Sequence, residues 1–383
     1  MLTRIWLTYK QHRFETIAIL VVSLGLTAAT LIEAYRLSAM NVPLTCLQNW
    51  QGNYVSSSPG PVDAATLHCN ELAQSFFNLQ NSMDMGLVQL MLLLLPLIAG
   101  IILGAPLVAK EIEQGTAPLS WALCGSRRRW LLGKVLAGVL LLVPLMLAVG
   151  LAANVLEGAR NPGLNVYAAF DNYLGRGVID IFWALAAFAG TFALGTILGR
   201  TLPAVILALV VCFFARGAWD AGMTHFVLTP FAVQQVQQTQ QQGSVIYYGP
   251  GGSGNVDLYV YNKTFIDGKE VTQDQANAWY EKNIVCVQAP EQTFSTFPAA
   301  SSSPGASSSP DALATPDNTK MGDNGGPCQG PEIDQSHFPQ QVLYVLPGPW
   351  YWQTIALESG LLLLGSLFFG ALAMVWVDRR RPY

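Results

Sequence analysis

Charge is what this chain has least of. Aspartate, glutamate, lysine and arginine make up 11% of its 383 residues, and apolar residues make up 51%. A water-soluble domain carries about 25% charged residues, and here the apolar residues are bunched into long runs, so an ordinary soluble domain is excluded and a membrane protein remains. Catalytic signatures are missing as well. There is no phosphate-cradling GxxxxGK[ST], no HExxH, no GxSxG and no aspartate pair of the kind a membrane aspartyl protease needs. The four histidines, His12, His68, His225 and His337, lack metal-ligand spacing. The chain is therefore expected to be no enzyme and to hold no metal, with no nucleic-acid partner; if ATP powers it, another polypeptide binds the ATP.

A helix needs roughly 17 to 25 mostly apolar residues to cross the hydrocarbon while satisfying its own backbone hydrogen bonds. Six segments meet that requirement: 16–35, 86–109, 131–155, 178–198, 201–218 and 350–377. The fifth opens near Pro203 and runs into Arg216, which leaves it tilted, broken or shorter than the membrane. Lysine and arginine are retained on the cytoplasmic side of short loops. Arg4, Lys10 and Arg13 precede the first span, and Lys110, Arg127, Arg128, Arg129 and Lys134 lie between the second and third. Arg200 separates the fourth from the fifth, and Arg379, Arg380 and Arg381 follow the sixth, whereas 38–85 contains no lysine or arginine. Arg160 and Arg176, between the third and fourth spans, run against this pattern. Both termini are expected in the cytoplasm, with the chain multi-pass in the cell membrane. The basic start from Arg4 to Phe14 reads as a helix lying along the membrane surface.

Three stretches follow from this. Residues 1–218 hold the first five spans, a cytoplasmic segment 105–134 and an external loop 38–85; 219–349 form an extracellular domain; 350–383 carry the sixth span and a basic tail. The extracellular domain reads as mixed α/β or irregular. It has a glutamine-rich stretch at 234–242, a strand-like run at 256–261, a helix-like run near 273–283 and a Ser/Pro/Ala low-complexity loop at 297–316. Disulfides persist outside the cell and are rare inside, so the cysteines sort by compartment. Cys46 with Cys69 and Cys286 with Cys328 are expected as bridges within their own loops, out of three possible pairings. Cys124 and Cys212 are expected free.

Polar groups in or beside spans are costly in lipid and mark either pathways or contacts between helices. They are Glu33 with Arg36, Asp84 and Gln89, Asp180, Arg216 with Asp220, and Gln353 with Glu358. Glu33 and Arg36 stand three apart and form a local pair. Asp84, Gln89, Asp180, Gln353 and Glu358 are the candidates for a transport path. Glu358, about two turns into the last span without a basic neighbour in sequence, must face a cavity or pair across helices. Glycines recur at helix-packing spacing: Gly100 with Gly104, Gly195 with Gly199, and Gly360, Gly365 and Gly370. They fit close packing within the bundle or between copies.

The segment between the second and third spans carries more chemistry than a connection needs. Glu111 and Glu113 sit on a short helix, Gly115 and Pro118 turn the chain, and Arg127 to Arg129 return it to Trp130 at the interface. The arginines alone would serve as a topology signal. The acidic helix and its Gly-Thr turn would not be needed for that, which points to a surface gripped by another protein.

At these residues the chain resembles the permease subunits of ATP-binding cassette transporters of the ABC-2 type, of the kind common in actinobacteria and related bacteria. Residues 105–116, followed by 126–134, resemble that family's first cytoplasmic loop; 6–13 resemble its amino-terminal helix; Trp352-Gln353, Glu358-Ser359-Gly360 and Asp378 with the three following arginines resemble its last span and tail. The resemblance implies an all-α membrane protein of six transmembrane helices, with the extracellular insertion going beyond the family's usual compact form. It also implies a second permease subunit, the same or different, and two separate ATPase subunits that carry the ATP and Mg. Lys110, Glu111, Glu113, Gln114, Gly115 and Thr116 would then be the coupling helix seated in an ATPase groove.

The expected function is the permease subunit of an ATP-driven exporter. The alternative is a non-transporting regulator that transmits ATPase motion to the extracellular domain. A continuous cavity lined by Glu358, Gln353 and Asp84 would favour the first, and a sealed, leucine-packed interface under a stiff external stalk the second.

Overall fold

The structure, a computed structural model, describes residues 9, 13–48, 64–117, 126–236, 257–283 and 340–379. In chain order its helices are α1 (Arg13–Ala39), α2 (Leu44–Gln48), α3 (Ala64–Gln80), α4 (Met83–Gly104), α5 (Pro106–Glu113), α6 (Arg127–Arg160), α7 (Ile179–Leu198), α8 (Thr201–Gly222), α9 (Gln273–Asn283) and α10 (Tyr351–Arg379). Six of them, α1, α4 continued by α5, α6, α7, α8 and α10, are long and apolar enough to cross a membrane. The six-span expectation and the all-α class therefore hold, with a small sheet in the C-terminal region.

The helix α7 is the centre of the bundle. It packs against α4, α6, α8 and α10, and 50% of its most apolar stretch is buried, against 11% for α8. Small residues make this closeness possible. A Cβ at Gly100 of α4 would stand 2.6 Å from the Ala184 carbonyl of α7, and one at Gly104 would stand 2.6 Å from the Phe188 carbonyl. Only glycine lets the two backbones meet, and dispersion between close-packed helices is what holds a bundle together in lipid. Away from α7, the second strong pairing is α1 on α6.

Of the three forms expected of the fifth span, tilted, broken or short, the structure rules out the last. Past α8 the chain continues as a wide π-type turn, Met223–Leu228, and a tight turn, Thr229–Phe231, giving a helical run of 31 residues. A wide turn loosens backbone carbonyls from their usual partners, and threonine hydroxyls take them up: Thr224 donates to the Asp220 carbonyl at 2.9 Å and Thr229 to the His225 carbonyl at 2.7 Å. Asp220 and His225 interrupt the apolar run, so hydropathy ended the span too early.

The described residues of the loop 38–85 are largely helical. Cys46 at α2 and Cys69 at α3 form a disulfide with a Cα separation of 5.2 Å, and α3 puts Ala73 and Phe76 into the main core. Cys212 on α8 is a free thiol. Cys124, Cys286 and Cys328 lie outside the described residues, as does the low-complexity loop 297–316.

The chain divides into two compact units, one of residues 1–234, 240–261 and 344–383 and the other of 235–239 and 262–343. Four strands, β1 (Val233–Val236), β2 (Leu258–Ile266), β3 (Lys269–Val271) and β4 (Gln340–Leu346), run in the order β1-β4-β2-β3. In the first unit Val260 and Leu346 close over Phe170, Tyr173 and Tyr351. In the second, Asp267 and Gly268 take φ of 50° and 76°, the left-handed pair that a two-residue hairpin requires. They set Thr264 opposite Val271 and Ile266 opposite Lys269. Thr272 then opens α9 with a reciprocal cap, accepting from the Gln275 backbone at 3.3 Å while its own N–H donates to the Gln275 side chain at 2.9 Å.

Candidate functional site

Two places join residues of the expected sites to polar partners on other helices. The first is α5. Pro106 stands at its first turn, where a missing N–H costs nothing, and Leu107, Val108 and Ala109 are buried against the bundle. Gly115 ends it with φ 70°. Its N–H reaches the Ile112 carbonyl at 3.2 Å and the N–H of Thr116 reaches that of Glu111 at 3.0 Å, the paired bonds of a Schellman stop.

The charged residues of α5 then divide by face. Glu111 is buried, its carboxylate paired with the buried Lys134 ammonium of α6 and accepting from the Trp130 indole at 3.2 Å. Lys110 faces Glu15 of α1 at 3.5 Å. Glu113 accepts from the backbone N–H and the hydroxyl of Thr201 at 2.9 and 2.8 Å, capping the first turn of α8, whose own N-cap position, Arg200, supplies no side-chain bond. One helix of eight residues is tied to three spans. What it leaves exposed is the tip, Glu113, Gln114, Gly115 and Thr116.

The arginines that follow have a structural use beyond topology. Arg127 donates to the Val377 and Asp378 carbonyls at 3.2 and 3.3 Å, and Arg128 pairs with the Asp378 carboxylate at 2.8 Å. Together they close the C-terminus of α10, where carbonyls lack helical partners. From the amino-terminal stretch Tyr9 is described, and its hydroxyl donates to the Ala137 carbonyl of α6 at 2.8 Å.

The second place lies at the other end of the bundle, where α7 begins, α8 ends and α10 begins. Asp180 in the first turn of α7 is 1% exposed and Glu358 of α10 is fully buried. Between them stands Arg216 of α8, its guanidinium 4.0 Å above the Trp183 ring, one nitrogen donating to the Leu174 carbonyl at 3.2 Å and another 3.8 Å from the Asp220 carboxylate. Trp219 packs edge-on against Trp183 and donates its indole N–H to Glu358 at 3.0 Å. No donor among the described residues reaches either carboxylate oxygen of Asp180. Tyr173, in the turn before α7, senses the same charges. Burial pushes its phenol up, as do the Glu358 and Asp220 carboxylates, while Arg216 pulls the other way.

Of the five residues expected to line a path, the structure brings together Asp180 and Glu358. Asp84 is exposed in the first turn of α4. Gln89 turns its amide oxygen to Arg160, and the exposed Gln353 donates to the Pro349 and Trp350 carbonyls at 3.0 and 3.2 Å. The residues missing from the sequence-based set are Arg216, Asp220, Trp183 and Trp219. Arg216 and Asp220 stand four apart and already marked one helical face as polar. The two tryptophans carried no signal, because indoles are common at membrane interfaces.

A family model described as ABC-2 membrane transporter related matches residues 16–223. No curated protein and no solved structure matches the chain. The matched stretch includes α5 with its partners Lys134 and Thr201, and the cluster members Asp180, Trp183, Arg216, Trp219 and Asp220; it begins just after Glu15 and ends before α10.

Proposed function

The chain belongs to the ABC-2 membrane transporter related family and is a permease-type, multi-pass membrane component; from that premise we propose that it is the permease subunit of an ATP-driven exporter. ATP and Mg are bound by two separate ATPase subunits, and a second permease subunit completes the pathway. The helix α5 is the coupling element, both termini lie with it in the cytoplasm, and the exposed faces of α1, α8 and α10 meet lipid or the second permease.

The observation that carries the reading is the set of three ties from α5. An ATPase pair that closes against the exposed tip at Glu113 to Thr116 pushes a short rigid helix. Through Lys110, Glu111 and Glu113 that push reaches α1, α6 and α8 together. Within the expected contact set, Glu111 acts as a brace inside the permease, and Gln114, Gly115 and Thr116 with the outer side of Glu113 form the gripped surface. The work is done only if the two permease states fit the ATPase pair differently.

The regulator reading would call for a sealed, apolar interface among the last spans. Buried carboxylates at the junction of α7, α8 and α10 support transport instead, although of Glu358, Gln353 and Asp84 only Glu358 sits there. The test is Glu113→Ala, alone and with Gln114→Ala and Thr116→Ala, in the chain co-expressed with its ATPase subunits. The single change is expected to leave co-purification intact and uncouple ATP hydrolysis from transport. The triple change is expected to lose co-purification. Wild-type coupling in both would remove α5 as the coupling element.

A further inference from the structure

We propose that the cluster formed by α7, α8 and α10 is a proton-binding site with Asp180 as its carrier. The packed bundle holds Asp180 as the neutral acid, and separation of α8 from α7 lets it ionise.

The argument is one of charge and space. Three carboxylates, Asp180, Asp220 and Glu358, share the neighbourhood of one guanidinium, Arg216. Arg216 is already engaged by Asp220, by the Leu174 carbonyl and by the Trp183 face, and Glu358 takes the Trp219 indole. The other charged and titratable groups that bear on the site are Tyr173 and Arg176 from the segment before α7 and Tyr351 from α10. Arg176 is spent on the Val166 and Ala169 carbonyls and on the Tyr351 ring. From α6, Asn154 lies beside Gly177. Asp180 is left without a hydrogen bond: neither of its oxygens has a donor among the described residues, and it is 1% exposed.

An ionised carboxylate in that position has lost its water and gained no hydrogen bond, and a buried group in this situation neutralises itself. The N-terminus of α7 favours an anion, but no backbone N–H reaches Asp180 to deliver that help. A proton cancels the charge without needing room. A metal ion would need ligands that converge, and among the described residues no three acidic, histidine or cysteine side chains do so.

Release follows from which helix covers the site. Arg216 and Asp220 ride on α8, the least buried span, and its opposite end is held to α5 through Glu113 and Thr201. Movement of α5 is therefore delivered to the helix that shields Asp180. On opening, water takes the proton as hydronium and leaves the carboxylate; on closing, hydronium returns it and water departs. This link to α5 rests on the coupling reading above, whereas the protonated state of Asp180 does not.

The test uses the full-length chain alone in lipid nanodiscs, with the infrared carbonyl stretch of protonated carboxyl groups recorded at neutral pH in H2O and D2O. The expected result is a deuterium-sensitive band that disappears in Asp180→Asn and survives in Asp84→Asn. Asparagine is the shape of the neutral acid, so the variant is expected to keep the wild-type melting temperature. Absence of the band in the wild type overturns the proposal, as does its survival in Asp180→Asn. A band lost in Glu358→Gln and kept in Asp180→Asn moves the proton to the wrong carboxylate and overturns Asp180 as carrier. Failure of Asp180→Asn to fold overturns it too, because a neutral acid would tolerate its amide.

Discussion

Glu111 and Glu113 are two residues apart in the same short helix, and they do different jobs. Residues two apart on a helix face away from each other, so one glutamate pairs with Lys134 in the core while the other reaches Thr201 at the surface. That division was legible in the helical period, but both acids read as one gripping surface because nothing in the sequence of α5 says where its partners stand. Lys134, read as a positive-inside signal, is 5% exposed. Breaking a buried pair strands a charge, whereas replacing both members by apolar residues of similar volume is close to neutral. Lys134→Met is therefore expected to cost about 3–5 kcal/mol in chemical denaturation in detergent. The double change of Lys134→Met with Glu111→Met is expected to recover most of that loss. A double variant no better than the single one would show that the pair itself, rather than the stranded charge, sets the cost.

Helices raise the same question about glycines. Three spans carry them at packing spacing, and the sequence marks all three alike. The structure separates them: Gly100 and Gly104 of α4 and Gly195 of α7 sit where backbones touch, while a Cβ at Gly360, Gly365 or Gly370 of α10 would meet nothing within 4 Å. Which glycine packs depends on the neighbour a helix has, and neighbours are not written in one helix's own period. Gly100→Val must push α4 off α7, and overpacking of this kind costs about 1–3 kcal/mol. Gly365→Val is expected to leave the stability of the single chain unchanged. Thermal unfolding of the two variants in detergent measures the contrast, and equal losses would refute the α4–α7 contact. The polar cluster was half legible for the same reason. Asp180, Glu358 and Arg216 with Asp220 all stood out as polar groups in or beside apolar runs, whereas the contact of Arg216 with Trp183 belongs to the meeting of α7 and α8.

At the scale of the whole molecule, six spans and one bridge together make a statement about sides. Disulfides form and persist in oxidising compartments, so a bridge between Cys46 and Cys69 is what the proposed orientation calls for, with α2 and α3 outside the cell. Each helix that crosses the membrane changes side once, so the proposed orientation puts α5, one span further on, inside, together with the connection from α7 to α8 and both ends of the chain. The distribution of lysine and arginine leads to the same arrangement by an independent route, since retention of basic residues depends on insertion and not on redox chemistry. The two arguments meet at α5, which the coupling reading requires in the cytoplasm. With Cys124 and Cys212 replaced by serine, Thr116→Cys is expected to resist a membrane-impermeant thiol reagent on intact cells and to react once the cells are opened. Asp84→Cys, exposed at the start of α4, is expected to react in intact cells. Labelling of Thr116→Cys from outside would invert the chain, place α5 out of reach of any ATPase, and end the permease mechanism while leaving the six-helix bundle as it is.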